Sequence, residues 1–213
     1  MKILGRMQAF IEGLADVDTA TDVRAFVVDD ALRDEIPGAR AGLPEQLFVR
    51  QDDDGVEIAL YVDTKVLERL ENDSPMAKLH QGNLEPYCIA LEGVSHFVYL
   101  IWRAQQKRPV RALELEIQAE VDKFIGAWFL LAKQGLSLAG AANLLLPKFF
   151  GAYVLHDDVP SAESGRYHTA SRIARGFCKA LADRHSGDGH LRGIKDSART
   201  FYRQGLPEKL RAA

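Results

Sequence analysis

The sequence predicts an α+β domain in which a small N-terminal antiparallel sheet with a β-hairpin packs on a C-terminal helical cluster. Three observations carry that prediction. Two β-prone runs, 47–50 and 56–62, flank Asp52-Asp53-Asp54-Gly55, and Asp-Gly between such runs signals a hairpin. From Asp63 onward the apolar residues recur at helical spacing. The regular strand–helix alternation of a doubly wound sheet is missing.

Residues 8–15 predict a short opening helix with Phe10, Ile11 and Leu14 on one side. Ala25-Phe26-Val27-Val28 reads as a strand stopped by Asp29-Asp30, and Pro37-Gly38 with Gly42-Leu43-Pro44 punctuates the loop beyond it. In the second hairpin run, Val56, Ile58, Leu60 and Val62 alternate with Glu57, Ala59 and Tyr61, which predicts one buried face. A short helix over 64–71 closes at Asn72-Asp73-Ser74-Pro75. A long helix follows over 84–106, with Pro86 tolerated in its first turn. Pro109 separates it from a helix over 112–133 that ends at Gln134-Gly135. The short connection makes these two helices antiparallel neighbours. Residues 136–150 form an apolar segment interrupted by Pro147, and Asp157-Asp158-Val159-Pro160-Ser161 is a linker leading into a helix over 163–184. After Gly187-Asp188-Gly189 come a short helix near 194–203 and a frayed basic tail.

A chain of 213 residues, 47% of them hydrophobic, suits one domain over 1–213 with sub-lobes 1–75 and 76–213. The net charge of −3 hides a polarity. Residues 1–75 carry 8 Lys and Arg against 17 Asp and Glu, whereas residues 161–213 carry 11 against 5. Either the C-terminal end meets an acidic partner, or the two ends face each other, the commoner arrangement. Cys88 and Cys178 sit apart in apolar stretches and read as small hydrophobes, with neither disulfide nor zinc spacing. The N-terminus has no secretory pattern, and the apolar stretches 97–102 and 124–132 fall short of the roughly 20 residues of a membrane span, so a cytoplasmic protein is expected. The sequence contains no P-loop and no Gly-x-Ser-x-Gly elbow.

The 84–106 helix is apolar round most of its circumference, yet Glu92, Ser95, His96, Tyr99 and Arg103 share one edge at helical spacing. Buried charge costs several kcal/mol unless it is paired, so something must meet this edge. The next helix offers Glu116, Glu120 and Lys123 on one flank and Glu114, Gln118 and Asp122 on another. The commoner arrangement of such groups is a satisfied polar network that fixes helix docking. The alternative is a site in which Glu92, His96, Glu116 and Glu120 act as catalytic groups, with Glu92, His96 and Glu120 as ligands of a divalent metal ion. The spacing is neither the Glu-x-x-His of di-iron bundles nor a zincin motif.

In the 163–184 helix, Ala170, Ile173, Ala174, Phe177, Cys178 and Leu181 form the buried side, and His168, Arg172, Arg175 and Lys179 line the other. Such a stripe can bind an acidic protein surface or a nucleic-acid backbone, or simply face solvent. His156-Asp157-Asp158 resembles a metal-binding group but sits where Asp serves turns. The leading expectation is a cytoplasmic binding or accessory protein acting on a macromolecular partner, a protein with an acidic surface, through its charged surfaces. The alternatives are a metal-assisted hydrolase using the helix-borne Glu/His group and a nucleic-acid-binding protein using the basic stripe.

Overall fold

A computed structural model describes residues 1–52, 55–151, 161–187 and 191–211. The order is α1 (Lys2–Ala15), a 3-10 turn (Val23–Phe26), β1 (Val27–Val28), α2 (Asp30–Glu35), β2 (Glu45–Asp52), β3 (Gly55–Val62), α3 (Thr64–Asn72), α4 (Gln81–Gln105), α5 (Ala112–Lys133), α6 (Leu138–Phe150), α7 (Ser161–His185), α8 (Leu191–Arg203) and α9 (Leu206–Arg211). The α+β class predicted from sequence holds, with one correction to the sheet. Strands β2 and β3 form the antiparallel hairpin, Glu45 opposite Val62 and Asp52 opposite Gly55, but β1 joins β3 in parallel, so the sheet is mixed. Asp53 and Asp54 of the hairpin connection lie outside the described residues.

The alternation predicted for β3 gives way to a gradient. Val56 is 50% exposed, whereas Leu60, Tyr61 and Val62 are all buried. Residues 55–57 of β3 are exposed, while its base at Leu60 and Tyr61 is covered on both faces. Tyr61, predicted on the open face, is covered by α2: its hydroxyl donates to Asp30 at 2.7 Å, and the Arg33 guanidinium lies 4.5 Å from its ring centroid.

Helix α4 begins three residues before the predicted start, because His80 and Asn83 form a reciprocal capping box. Pro86 therefore lies inside the helix, beyond its first turn, and has no N–H to give the Gly82 carbonyl. The Arg69 guanidinium of α3 donates to that carbonyl at 3.3 Å. Helix α5 matches its predicted span, and the α4–α5 pairs Glu92–Lys123, Ser95–Asp122 and Tyr99–Glu114 run in opposite senses along the two helices, which makes them antiparallel.

One hydrophobic cluster runs from Ile3 to Leu206, with Phe97, Phe124 and Trp128 at its centre. The Trp128 indole donates to the Leu138 carbonyl at 2.8 Å and fixes the turn into α6. The charge polarity of the chain has a structural counterpart where α8 meets α1. Arg203 donates to the carbonyls of Ala15 at 2.6 Å and Asp16 at 2.9 Å, and Arg199 to that of Leu14 at 3.2 Å. These cations satisfy carbonyls at the end of α1, which has no basic residue in its own last turn. Among the described residues no helix is long and apolar enough to cross a membrane.

Candidate metal centre

The polar edge of α4 is buried against α5, as its spacing predicts. Ser95, His96, Tyr99 and Arg103 are buried, and Glu92 retains 25% of its side-chain exposure. The α5 face opposite supplies Glu114, Glu116, Gln118, Asp122 and Lys123, all buried. Both flanks of α5 distinguished in the sequence contribute: α7 packs along α5, and Lys209 of α9 reaches Gln118.

The part of this interface nearest to solvent gathers Glu92, His96 and Glu116. One ligand-competent atom from each lies within 4.8 Å of the other two. The His96 ring stands between two carboxylates, with Nδ1 3.5 Å from Glu45 Oε1 and Nε2 3.6 Å from Glu116 Oε2. These distances allow charge attraction but are too long for hydrogen bonds. His96 Nε2 and Glu45 Oε1 are accordingly buried without a hydrogen-bond partner. Arg166 of α7 approaches the other Glu116 oxygen at 3.4 Å. Lys123 donates to Glu92 at 2.6 Å and to Glu120 at 2.9 Å.

Glu45 reaches His96 because residue 93 is glycine. A Cβ there would stand 2.8 Å from Glu45 Cγ and 2.9 Å from Leu60 Cδ1, closer than packing permits. The missing methyl lets the base of the hairpin close on α4. Glu45 was not among the sequence candidates, since it precedes the apolar run of its strand; Gly93 within the polar edge of α4 was the available signal. Glu120, grouped with the ligands on sequence grounds, lies outside the three-residue group, which takes Glu116; Lys123 bonds both Glu120 and Glu92.

Burial dominates the electrostatics. Desolvation alone would lower the pKa of His96, but Glu45 and Glu116 outweigh it and hold the imidazolium well above its ordinary range. Desolvation raises the carboxyls of Glu45 and Glu120, against the opposing pull of His96 and Lys123 respectively. Lys123, which burial alone would lower, is raised by Glu120 and Glu92. Among the described residues, four carboxylates (Glu45, Glu92, Glu116, Glu120) thus face Lys123, Arg166 and the imidazolium. Exchange of the imidazolium proton for a divalent cation would bring these formal charges into balance.

Deeper along the same interface the polar groups are paired differently. Ser95 donates to Asp122 Oδ2 at 2.6 Å and Gln118 to Oδ1 at 2.9 Å. Burial still lifts the Asp122 carboxyl to about 6. Lys209 of α9 donates to Gln118 Oε1 and lies 4.6 Å from the Tyr99 ring centroid. It is fully buried, and desolvation lowers its pKa to about 7. The predicted frayed tail is therefore a helix that inserts a cation into the core. Tyr99 donates to Glu114 at 2.9 Å, and Arg103 approaches the same Glu114 oxygen at 3.2 Å. This deeper half has the pairing of a docking network, the commoner arrangement for such groups, except that Arg103 Nε and Nη1 are buried without a hydrogen-bond partner.

The basic stripe of α7 is exposed at His168, Arg172, Arg175 and Lys179, but Lys179 pairs with Asp183 at 2.6 Å. Cys178 is fully buried and Cys88 partly so; burial pushes the Cys88 thiol up to about 12, far from the thiolate a nucleophile needs. His156-Asp157-Asp158 and His190 lie outside the described residues. Compared with protein-family profiles, curated proteins and solved structures, the chain matches none.

Proposed function

We propose that the protein is a metal-assisted hydrolase that holds a divalent cation with Glu92, His96 and Glu116. The observation that carries this reading is the convergence of their ligand atoms within 4.8 Å, with His96 Nε2 buried and unbonded beside Glu116. A ligating histidine characteristically turns its second nitrogen to a carboxylate that fixes its tautomer and orientation; Glu45 is the carboxylate beside Nδ1, at 3.5 Å, and would have to close that distance to hydrogen-bond it. A mixed imidazole–carboxylate set suits zinc, manganese or ferrous iron. Held by these residues, a bound ion would contribute the activation of water as a nucleophile near neutral pH. Glu120 is assigned the role of proton acceptor, because it lies one turn beyond Glu116 and burial raises its carboxyl into a more basic range. The exposed fractions of Glu92 and Arg166, 25% and 28%, give water and substrate an approach.

Metal content after chelator-free purification, paired with hydrolysis of p-nitrophenyl phosphate and p-nitrophenyl acetate, tests this reading. One ion per chain, lost in a folded His96→Ala variant together with any turnover, is the expected result. Metal-free protein with no turnover after addition of Zn2+, Mn2+ or Fe2+ would reduce the cluster to a docking network.

Exposed Arg172 and Arg175, which have no ion pair among the described residues, favour a second reading in which α7 binds an acidic protein surface. Reversing both to Glu would abolish such binding without changing metal content.

A further inference from the structure

Away from the metal centre, the structure contains a cavity of about 670 Å3 between α1, α5, α6 and the start of α8, within the roughly 300–1,000 Å3 typical of small-molecule sites. Its walls are apolar, formed by Met7, Phe10, Phe129, Leu130 and Leu138. Leu136 and Leu191, 42% and 47% exposed, extend this surface to the mouth.

Two features set the cavity apart from a packing defect. Arg6, Lys133 and Lys195 all line it and are exposed, and none has a hydrogen bond or ion pair among the described residues. No described carboxylate lines it with them. Second, Tyr87 is only 2% exposed and lines the cavity, yet its hydroxyl has no hydrogen-bond partner among the described residues. Desolvation keeps that phenol protonated and a donor. Gly126 makes room for it, since a Cβ there would stand 2.5 Å from the hydroxyl oxygen. The hydroxyl oxygen is not itself fully buried: it opens onto the cavity, where a ligand acceptor would take the place of water.

We infer that this cavity binds a linear amphiphile with an anionic head, the chain lying along the apolar walls and the head among Arg6, Lys133 and Lys195. The shared chemistry is that of a free alkyl carboxylate or a phosphate monoester of a fatty alcohol; a neutral alkyl chain lacks the feature the cations select.

Calorimetric titration of the whole protein with dodecanoate, dodecyl phosphate and dodecanol, each below its micellar concentration, tests the inference. One of the two anions should bind one to one and about tenfold more tightly than dodecanol, the factor two partly exposed ion pairs supply. The preferred anion identifies the head. Arg6→Ala, Lys133→Ala and Lys195→Ala together, all at exposed positions, should reduce its binding to the dodecanol level, and Ala132→Trp, which fills the cavity, should abolish it. Dodecanol binding as tightly as either anion, no one-to-one binding of any of the three, or full binding by the Ala132→Trp variant would overturn the inference. Bound metal should be unchanged in these variants, so failure here is distinguishable from failure at the metal centre.

Discussion

Replacing Lys209 with methionine removes a cation that the fold holds with no solvent exposure. Burial lowers its pKa from 10.5 to about 7. Between those values the unfolded chain holds a proton that the folded chain lacks, so stability rises with pH across the window. Below pH 7 both states are protonated and the folded state bears the full penalty, about 5 kcal/mol at roughly 1.4 kcal/mol per pH unit. At pH 9 about 2 kcal/mol of it remains. The methionine variant escapes the penalty at every pH but leaves Gln118 Oε1 without its donor, a pH-independent loss of about 1–3 kcal/mol. Methionine should therefore stabilise the protein by about 2–4 kcal/mol at pH 6, and the advantage should shrink by roughly 3 kcal/mol at pH 9. Asp122 acts in the same direction, because loss of the nearby cation makes its ionised form costlier at high pH. Urea denaturation of both proteins at the two pH values measures the difference. Parallel stability–pH curves, or a variant less stable at pH 6, would refute the reasoning.

Gly93→Ala should displace Glu45 from His96 and weaken metal affinity about 10–100-fold in titrations, while far-UV circular dichroism stays unchanged. Ser95→Ala removes a donor from the buried Asp122 carboxylate and should cost about 1–3 kcal/mol in urea unfolding, less below pH 6 where that carboxyl is protonated. Cys88 and Cys178 should resist iodoacetamide in the folded protein at pH 8 and react fully in urea, as followed by mass spectrometry.

The helical half of the fold was legible where one periodicity ran uninterrupted. The 3.6-residue pattern placed α5 at its observed ends, and the polar edge of α4 from Glu92 to Arg103 met α5 because charged groups at core positions require partners. The hairpin was legible from its Asp-Gly signal. Elements that depend on remote contacts were not. The 3-10 turn took the first half of the segment 25–28, read as a strand, leaving β1 only Val27 and Val28, and α2 was hidden in an acidic run where Asp29 supplies the cap. The start of α4 was displaced because its cap pairs His80 with Asn83, in place of the usual Ser or Thr with Glu. Glu45, Arg166 and Lys209 reach the site from 50 or more positions away in sequence, as the pairs Glu45–His96, Glu116–Arg166 and Gln118–Lys209 record. No local pattern encodes such approaches; Lys209 in particular stands in a basic run whose ordinary reading is a solvated tail.

The assignment of Glu116 to the metal, with Glu120 beside it in a different role, is tested most directly by titrating Zn2+ into metal-stripped protein and its Glu116→Gln and Glu120→Gln variants, each checked for native circular dichroism. One ion should bind per chain in the parent and in Glu120→Gln, which should lack turnover, whereas Glu116→Gln should bind at least tenfold more weakly. Equal affinity in the parent and Glu116→Gln, or no binding in any of the three, would contradict the assignment.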